Sequence, residues 1–309
     1  MMEVPMRPKQ SAENILDVTR THILQKNNTG VSDTRNMGLT QATGKYVAFA
    51  DCDDRYEKNA LDSLCRILES TPEHDIYLFK ANKVFATYKE PIDFPIQQGS
   101  WDGDSFRNTY YLSFALGRKT NGKNLSLPIW SSVFSKSFLQ KFGSSFDTYL
   151  RKAEDFIFTV QVLSKASKIF VIHETYYNYR INRQSVSHKY IKCSSLSIKK
   201  SIYIINKLEE ILKNHFDLSK YRDDIAGRYA SIIVNFCKNW LHSFSKETVK
   251  STSCMLSSII DSKFYAKIQN SSVLRVSNKR YTISLLLCKA CTPLMLCIAV
   301  KIMLKLRLI

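Results

Sequence analysis

The sequence predicts an α/β fold followed by a basic, mainly α-helical extension. Three features carry that reading. First, the apolar run Tyr46–Ala50, rich in β-formers, leads directly into Asp51-Cys52-Asp53-Asp54, and an amphipathic helical stretch from Lys58 to Leu68 follows. Second, strand-like runs at Asp75–Phe79, Asn82–Tyr88 and Ile169–His173 alternate with helical periodicity, which argues for a layer of parallel strands. Third, the pattern changes beyond about residue 192, where Lys/Ile/Leu-rich stretches at 195–214 and 221–243 read as amphipathic helices. The expected division is 1–190 for the α/β domain and 191–309 for the extension.

Taken in order, His22–Leu24 is the first strand-like run, and Asn27 to Gly30 reads as a turn. Val31 to Gln41 reads as a helix, with Gly44 placed to close it in a left-handed cap. Trp101 to Gly117 is helical in pattern, Arg118 to Asn124 is a loop, and Val133–Phe142 is apolar-periodic. Glu154-Asp155 opens a helix through Ser164. Tyr176 to His188 is aromatic and polar without clear periodicity.

Composition narrows the function classes. With 44% hydrophobic and 23% charged residues the chain of 309 is globular, and 9 Gly with 7 Pro exclude collagen-like and Pro-rich scaffolds. The net charge of +18 is uneven: residues 1–190 hold 25 basic and 20 acidic side chains, against 20 and 7 in residues 191–309. After Asp261 nine Lys/Arg follow and no acid does. Eight cysteines at irregular spacing, and no secretory leader after the charged Met1–Lys9, fit a reducing, cytoplasmic setting.

Asp51, Asp53 and Asp54 are the first residues that point to chemistry. Ligands of open α/β sheets bind beyond the C-terminal ends of strands, and carboxylates crowded there repel one another unless a cation sits among them. Hard oxygen ligands suit Mg²⁺ or Mn²⁺, with diphosphate oxygens completing the shell. The competing reading is that one aspartate only caps the helix beginning near Lys58. Arg35, in Asn28-Thr-Gly30-Val-Ser-Asp-Thr-Arg35-Asn-Met-Gly38, is either a solvated helix residue or a guanidinium that grips a diphosphate.

Together these residues resemble family 2 glycosyltransferases of the GT-A fold. The resemblance rests on Asn28-x-Gly30-x-x-x-x-Arg35-Asn36-x-Gly38, on Thr43-Gly44-Lys45-Tyr46, and on Phe49-x-Asp51-x-Asp53-Asp54. It continues through Ile129-Trp130-Ser131-Ser132-Val133-Phe134, through Phe146 with Glu154-Asp155-x-x-Phe158, and through Tyr177-x-Tyr179-Arg180-x-Asn182-x-x-Ser185-x-Ser187. It covers about residues 22–190 and is similar in subtype to bacterial enzymes that build capsule, exopolysaccharide or lipopolysaccharide chains.

The resemblance implies transfer of a sugar from a nucleotide-diphosphate sugar to a hydroxyl of a glycan or lipid-linked acceptor, with inversion. It implies a divalent metal, Mn²⁺ or Mg²⁺, on Asp51 and Asp53, and a donor contact from Arg35. By motif position Asp155 is the base and Glu154 its neighbour; the residues alone also allow a simple acidic helix start. Trp130 is carried over as an acceptor-pocket wall, against plain core packing. His188 is a candidate metal or phosphate ligand, against a structural histidine.

The family opens with a strand, a helix and a second strand ending in an acidic motif, and nothing in Met1 to Lys26 matches them. The expectation is an N-terminally shortened GT-A sheet with weak activity alone, so a catalytically impaired fragment or docking partner stands as the alternative. At the other end, the longest charge-free stretch, Ala290 to Val300, is too short to span a bilayer. Lys301, Lys305 and Arg307 among aliphatics suit the membrane interface, so the protein is expected on the cytoplasmic face of the membrane; the alternative is a helix pair packed on the domain. A basic nucleic-acid binder is the remaining class, and the absence of a recognisable module with exposed aromatics argues for no nucleic acid.

Overall fold

The computed structural model describes Leu24 and residues 26–181, 195–243, 253–254, 256–257, 262–272 and 279–305. Among the described residues, helix α1 (Val31–Gln41) comes first, then strand β1 (Tyr46–Ala48), β2 (Arg55–Tyr56), α2 (Ala60–Ser70), β3 (Ile76–Val84), β4 (Lys89–Pro91) and β5 (Gly99–Asp102). A helical segment follows as α3 (Gly103–Phe106), a π-turn at Arg107–Tyr111 and α4 (Leu112–Leu116). The hairpin β6 (Lys119–Thr120) and β7 (Lys123–Asn124) leads to β8 (Ser132–Ser135), α5 (Lys136–Lys141), α6 (Glu154–Lys165) and the long β9 (Lys168–Arg180). The extension is α7 (Ser195–Leu212), α8 (Arg222–Ser243), α9 (Ser262–Gln269), α10 (Lys279–Ala290) and α11 (Pro293–Lys305).

The main sheet runs β1-β8-β3-β9-β2, with β4 on β3 and β5 on β9. Period-two alternation along β3 divides two cores. Ile76 and Leu78 face the larger core, with Phe134, Phe158, Ile169 and Val171. Tyr77 and Phe79 face the smaller one, closed by Ala60, Leu64 and Leu68 of α2. The larger core continues without a break into Ile198, Leu208, Ile233, Cys237, Leu285 and Val300 of the extension.

Several expectations are corrected. β3 pairs parallel only with β9; its pairings with β4 and β8, and those of β1, β2 and β5, are antiparallel, so the sheet is mixed. The two strands read at Asp75–Phe79 and Asn82–Tyr88 are one, because Lys80 to Asn82 keep the ladder despite their polarity. Trp101 lies on a strand rather than in a helix. The Arg118–Asn124 loop is a short hairpin. The α1 helix closes on Ala42 in extended backbone, and Gly44 is not in the left-handed region. The strand at Tyr46 is half-exposed and three residues long, and the apolar Phe49 beyond it packs by ring edges on Phe134, Phe146 and Phe158. The run His22–Leu24 falls mostly outside the described residues.

The β9 strand is what carries the fold into the site. Between Ile172 and Tyr177 it advances five residues while β3 advances only two, from Phe79 to Ala81. The bulge re-aims the second half of the strand. That half then pairs with β2, through Arg55↔Asn178 and Tyr56↔Tyr177, so the turn holding the aspartates is stitched to the end of β9.

Candidate functional site

Gly30 enters α1 at φ 104, a backbone region that favours glycine. From α1, Asn36 donates through Nδ2 to the Phe146 carbonyl at 2.8 Å and accepts from the Phe146 N–H at 2.7 Å. That reciprocal pair pins the loop before α6 against the helix. The neighbouring Arg35 is thereby aimed between two carboxylates. Its Nη2 is 2.9 Å from Asp51 Oδ1 and its Nη1 is 3.1 Å from Glu154 Oε1, while its guanidinium lies 5.4 Å from the centre of the Phe146 ring. Arg35 and Glu154 are 119 positions apart in the chain.

The aspartate turn is ordered from behind by tyrosine. Tyr177 Oη accepts from the Asp51 N–H at 3.0 Å and donates to Asp54 Oδ2 at 3.0 Å. The other Asp54 oxygen accepts from the Arg180 N–H at 2.7 Å. Burial pushes the Asp54 carboxyl above the usual carboxylate range, opposed by the hydrogen bonds from Arg180 and Tyr177. Asp54 is thus a structural tie and not a helix cap: the helix after Lys58 is entered through Asn59, in the left-handed region, without a side-chain cap. Asp53 is exposed, on an open cleft with Arg55, Lys89, Asn178 and Arg180.

Glu154 and Asp155 form the first turn of α6, entered through Ala153 at φ 61, a left-handed conformation unusual for a residue with a Cβ. Glu154 is buried, and burial raises its pKa against the pull of Arg35. Asp155 is half-buried and accepts from the Phe156 N–H at 2.7 Å. The Tyr179 hydroxyl is raised by burial first, then by the negative charges of Asp54, Asp53, Asp51 and Asp155. The charge of carboxylates from both motifs therefore bears on this one phenol.

Trp130 is 8% exposed and stacks on Tyr177 (4.7 Å, 13°) and Tyr179 (5.4 Å, 9°). It backs the two tyrosines that face the carboxylates. His188 lies outside the described residues. The sequence reading did not single out Tyr177 as the organiser of the aspartates. The available signal was Tyr177-x-Tyr179, which in a strand puts both rings on one face.

Among the described residues no group of three or more His, Cys, Asp or Glu is gathered to hold a metal ion. Asp51 and Asp53 offer hard oxygen donors of the kind Mg²⁺ takes one or two of beside phosphate and water, with Asp51 engaged by Arg35 and Asp53 exposed.

Residues 9–140 match the family model described as glycosyl transferase family 2, beginning earlier than the motifs at 28–54 do. The chain is 25% identical over 212 residues to a cholesterol galactosyltransferase of Borreliella burgdorferi, covering 62% of this chain and 51% of that protein. It is 22% identical over 240 residues to the poly(ribitol-phosphate) beta-N-acetylglucosaminyltransferase TarP of Staphylococcus aureus, covering 72% and 68%. The crystal structure of S. aureus TarS residues 1–349 superimposes with a TM-score of 0.50 at 16% identity, over 86% of this chain and 72% of that one. The chain spans about half the length of several relatives it matches.

Proposed function

From the premise that the chain carries a glycosyl transferase family 2 domain in a GT-A fold, we propose that it moves a sugar from a nucleotide-diphosphate sugar to a hydroxyl of a glycan or lipid-linked acceptor. The setting is assembly of surface polysaccharide, at the cytoplasmic face of the membrane. Residues 1–190 form the transferase domain and residues 191–309 the helical extension. The observation that carries the reading is Arg35, whose guanidinium joins Asp51 of one motif to Glu154 of the other.

Each residue then has a task. Arg35 meets the donor diphosphate, being a planar cation at the crevice. Asp51 and Asp53 hold the divalent cation, which when bound supplies positive charge against the diphosphate leaving group. Asp155 takes the proton of the acceptor hydroxyl as its oxygen bonds to the anomeric carbon, and the bond from that carbon to the diphosphate breaks with its electron pair leaving on phosphate oxygen. Attack and departure on opposite sides of the carbon give inversion. Asp155 suits the base role better than Glu154, because Glu154 is buried and engaged by Arg35. Trp130 bounds the acceptor side by supporting Tyr179.

The test is a panel of nucleotide-diphosphate sugars with the purified chain and Mn²⁺ or Mg²⁺. Donor binding by calorimetry is expected, with loss in Asp51→Asn and retention in Asp155→Asn, whose turnover alone collapses. Absence of any donor binding rejects the proposal. Donor binding without wild-type turnover favours the reading as a catalytically impaired docking partner.

A further inference from the structure

We propose that the outer face of α10 and α11 is a docking surface for an anionic phospholipid bilayer. The inference does not depend on the sugar-transfer reading. Both helices are already packed on one side: Leu285 and Cys288 of α10, and Leu296, Cys297 and Val300 of α11, are fully buried in the larger core. On the opposite side large aliphatics stand in solvent. Ile283 (53% exposed) and Leu286 (50%) lie three apart on α10, and Met295 (54%), Ile298 (44%) and Ile302 (51%) follow helical spacing on α11. No other described pair of adjacent elements exposes large aliphatics in this way. A stripe of this kind on two neighbouring helices marks an interaction surface rather than scattered surface apolarity.

Charge selects the occupant. From residue 262 onward the sequence has nine Lys/Arg and no acid, and the two helices themselves contain Lys279, Arg280, Lys289, Lys301 and Lys305. Lys289 is spoken for, since its Nζ donates to the carbonyls of Ile268 and Ser271 and ties α10 to the end of α9. No Asp or Glu follows Asp261 in the sequence, so the segment that supplies both helices is positive in net charge. Two copies of so basic a segment would bring like charges together, whereas anionic headgroups complement its net charge and the exposed aliphatics enter the acyl boundary. At 12 and 13 residues the helices are about 20 Å long, short of a bilayer core of roughly 30 Å. Among the described residues no helix is long and apolar enough to cross a membrane. The face therefore lies on the bilayer. Because its helices are held by the core beforehand, binding requires no helix formation.

The experiment floats the full chain with vesicles of phosphatidylcholine alone or mixed with phosphatidylglycerol, in low and high salt. Co-flotation with the anionic vesicles, weakened by salt and without gain of helical circular dichroism, is expected. Ile298→Gln with Ile302→Gln should weaken partitioning roughly tenfold or more, from the lost apolar burial. Leu61→Gln, an exposed leucine on α2, should leave it unchanged. If the double variant melts early, Leu286→Gln on the other helix replaces it. The proposal falls if the wild type ignores anionic vesicles, binds neutral ones equally, or if these variants bind like wild type. It falls equally if light scattering shows a dimer that these substitutions break while vesicles are ignored.

Discussion

The sheet region and the helical extension share one hydrophobic core but are held together by different means. Around the crevice, polar side chains reach across the chain to fix one another: Asn36 to Phe146, Arg35 to Glu154, Tyr177 to Asp51 and Asp54. In the extension, α9, α10 and α11 close on α8 chiefly through buried aliphatics and cysteines, with a few polar ties such as Lys267 to Glu209 and Tyr229 to Asn206. The difference teaches that chemistry needs groups held in mutual position, whereas a supporting face needs only filled volume. Directed hydrogen bonds do the first and apolar packing does the second.

The sharpest way to break that contrast is at Asp155, the proposed base. Asp155→Asn should cut turnover by about 10²–10⁴-fold with the melting temperature and donor affinity little changed, read by initial rates beside calorimetry. Next, Arg35→Ala strips the buried Glu154 of its counter-charge and should cost about 2–3 kcal/mol in denaturant melts. Combining it with Glu154→Gln should recover part of that loss; simple additivity of the two changes would contradict the pairing.

A purely steric prediction follows in size. A Cβ on Gly103 would sit 2.1 Å from the Ala166 carbonyl oxygen, where α3 meets the end of α6. Gly103→Ala should therefore destabilise by about 1–3 kcal/mol, and an unchanged melt would mean that this joint yields. The smallest effect probes the seam between the two regions. Tyr203 of α7 donates to Asp147 Oδ2 at 2.6 Å, and that bond raises its hydroxyl to about 12. A raised folded pKa means the contribution is fully present below the ordinary tyrosine value near 10 and disappears as pH climbs through about 12. Tyr203→Phe should lose about 1 kcal/mol near neutrality, with the gap to wild type closing over that alkaline window.

Much of this was legible in the chain itself, for identifiable reasons. Helix Val31–Gln41 and the acidic turn after Tyr46 are written locally, in a glycine entry and in an apolar run that stops at carboxylates. The gathering of Asp51 with Glu154 was reachable only through motif resemblance, since no local pattern links positions so far apart. The second half of β9 was not legible. Its side chains are aromatic and polar, Tyr177 bonding Asp51 and Asp54 and Tyr179 stacking on Trp130, which erases the alternation that marks a strand. The antiparallel pairings were missed for a similar reason: strand direction is set by which edges meet, and the apolar runs carry no record of it. Trp130 shows the same limit, its place beneath two tyrosines being a fact of tertiary packing.

The bulged β9 strand has a consequence for how the molecule opens. Its first half, Ile169 to Ile172, is sealed in the core, and its second half carries Tyr177 and Tyr179 beneath the carboxylates. Both halves hang from the same partner, β3. Amide hydrogen exchange at Tyr177–Arg180 should thus follow the slow protection of Ile169–Val171 rather than the faster exchange of surface loops. A crevice built on that strand melts when the sheet melts, and not before.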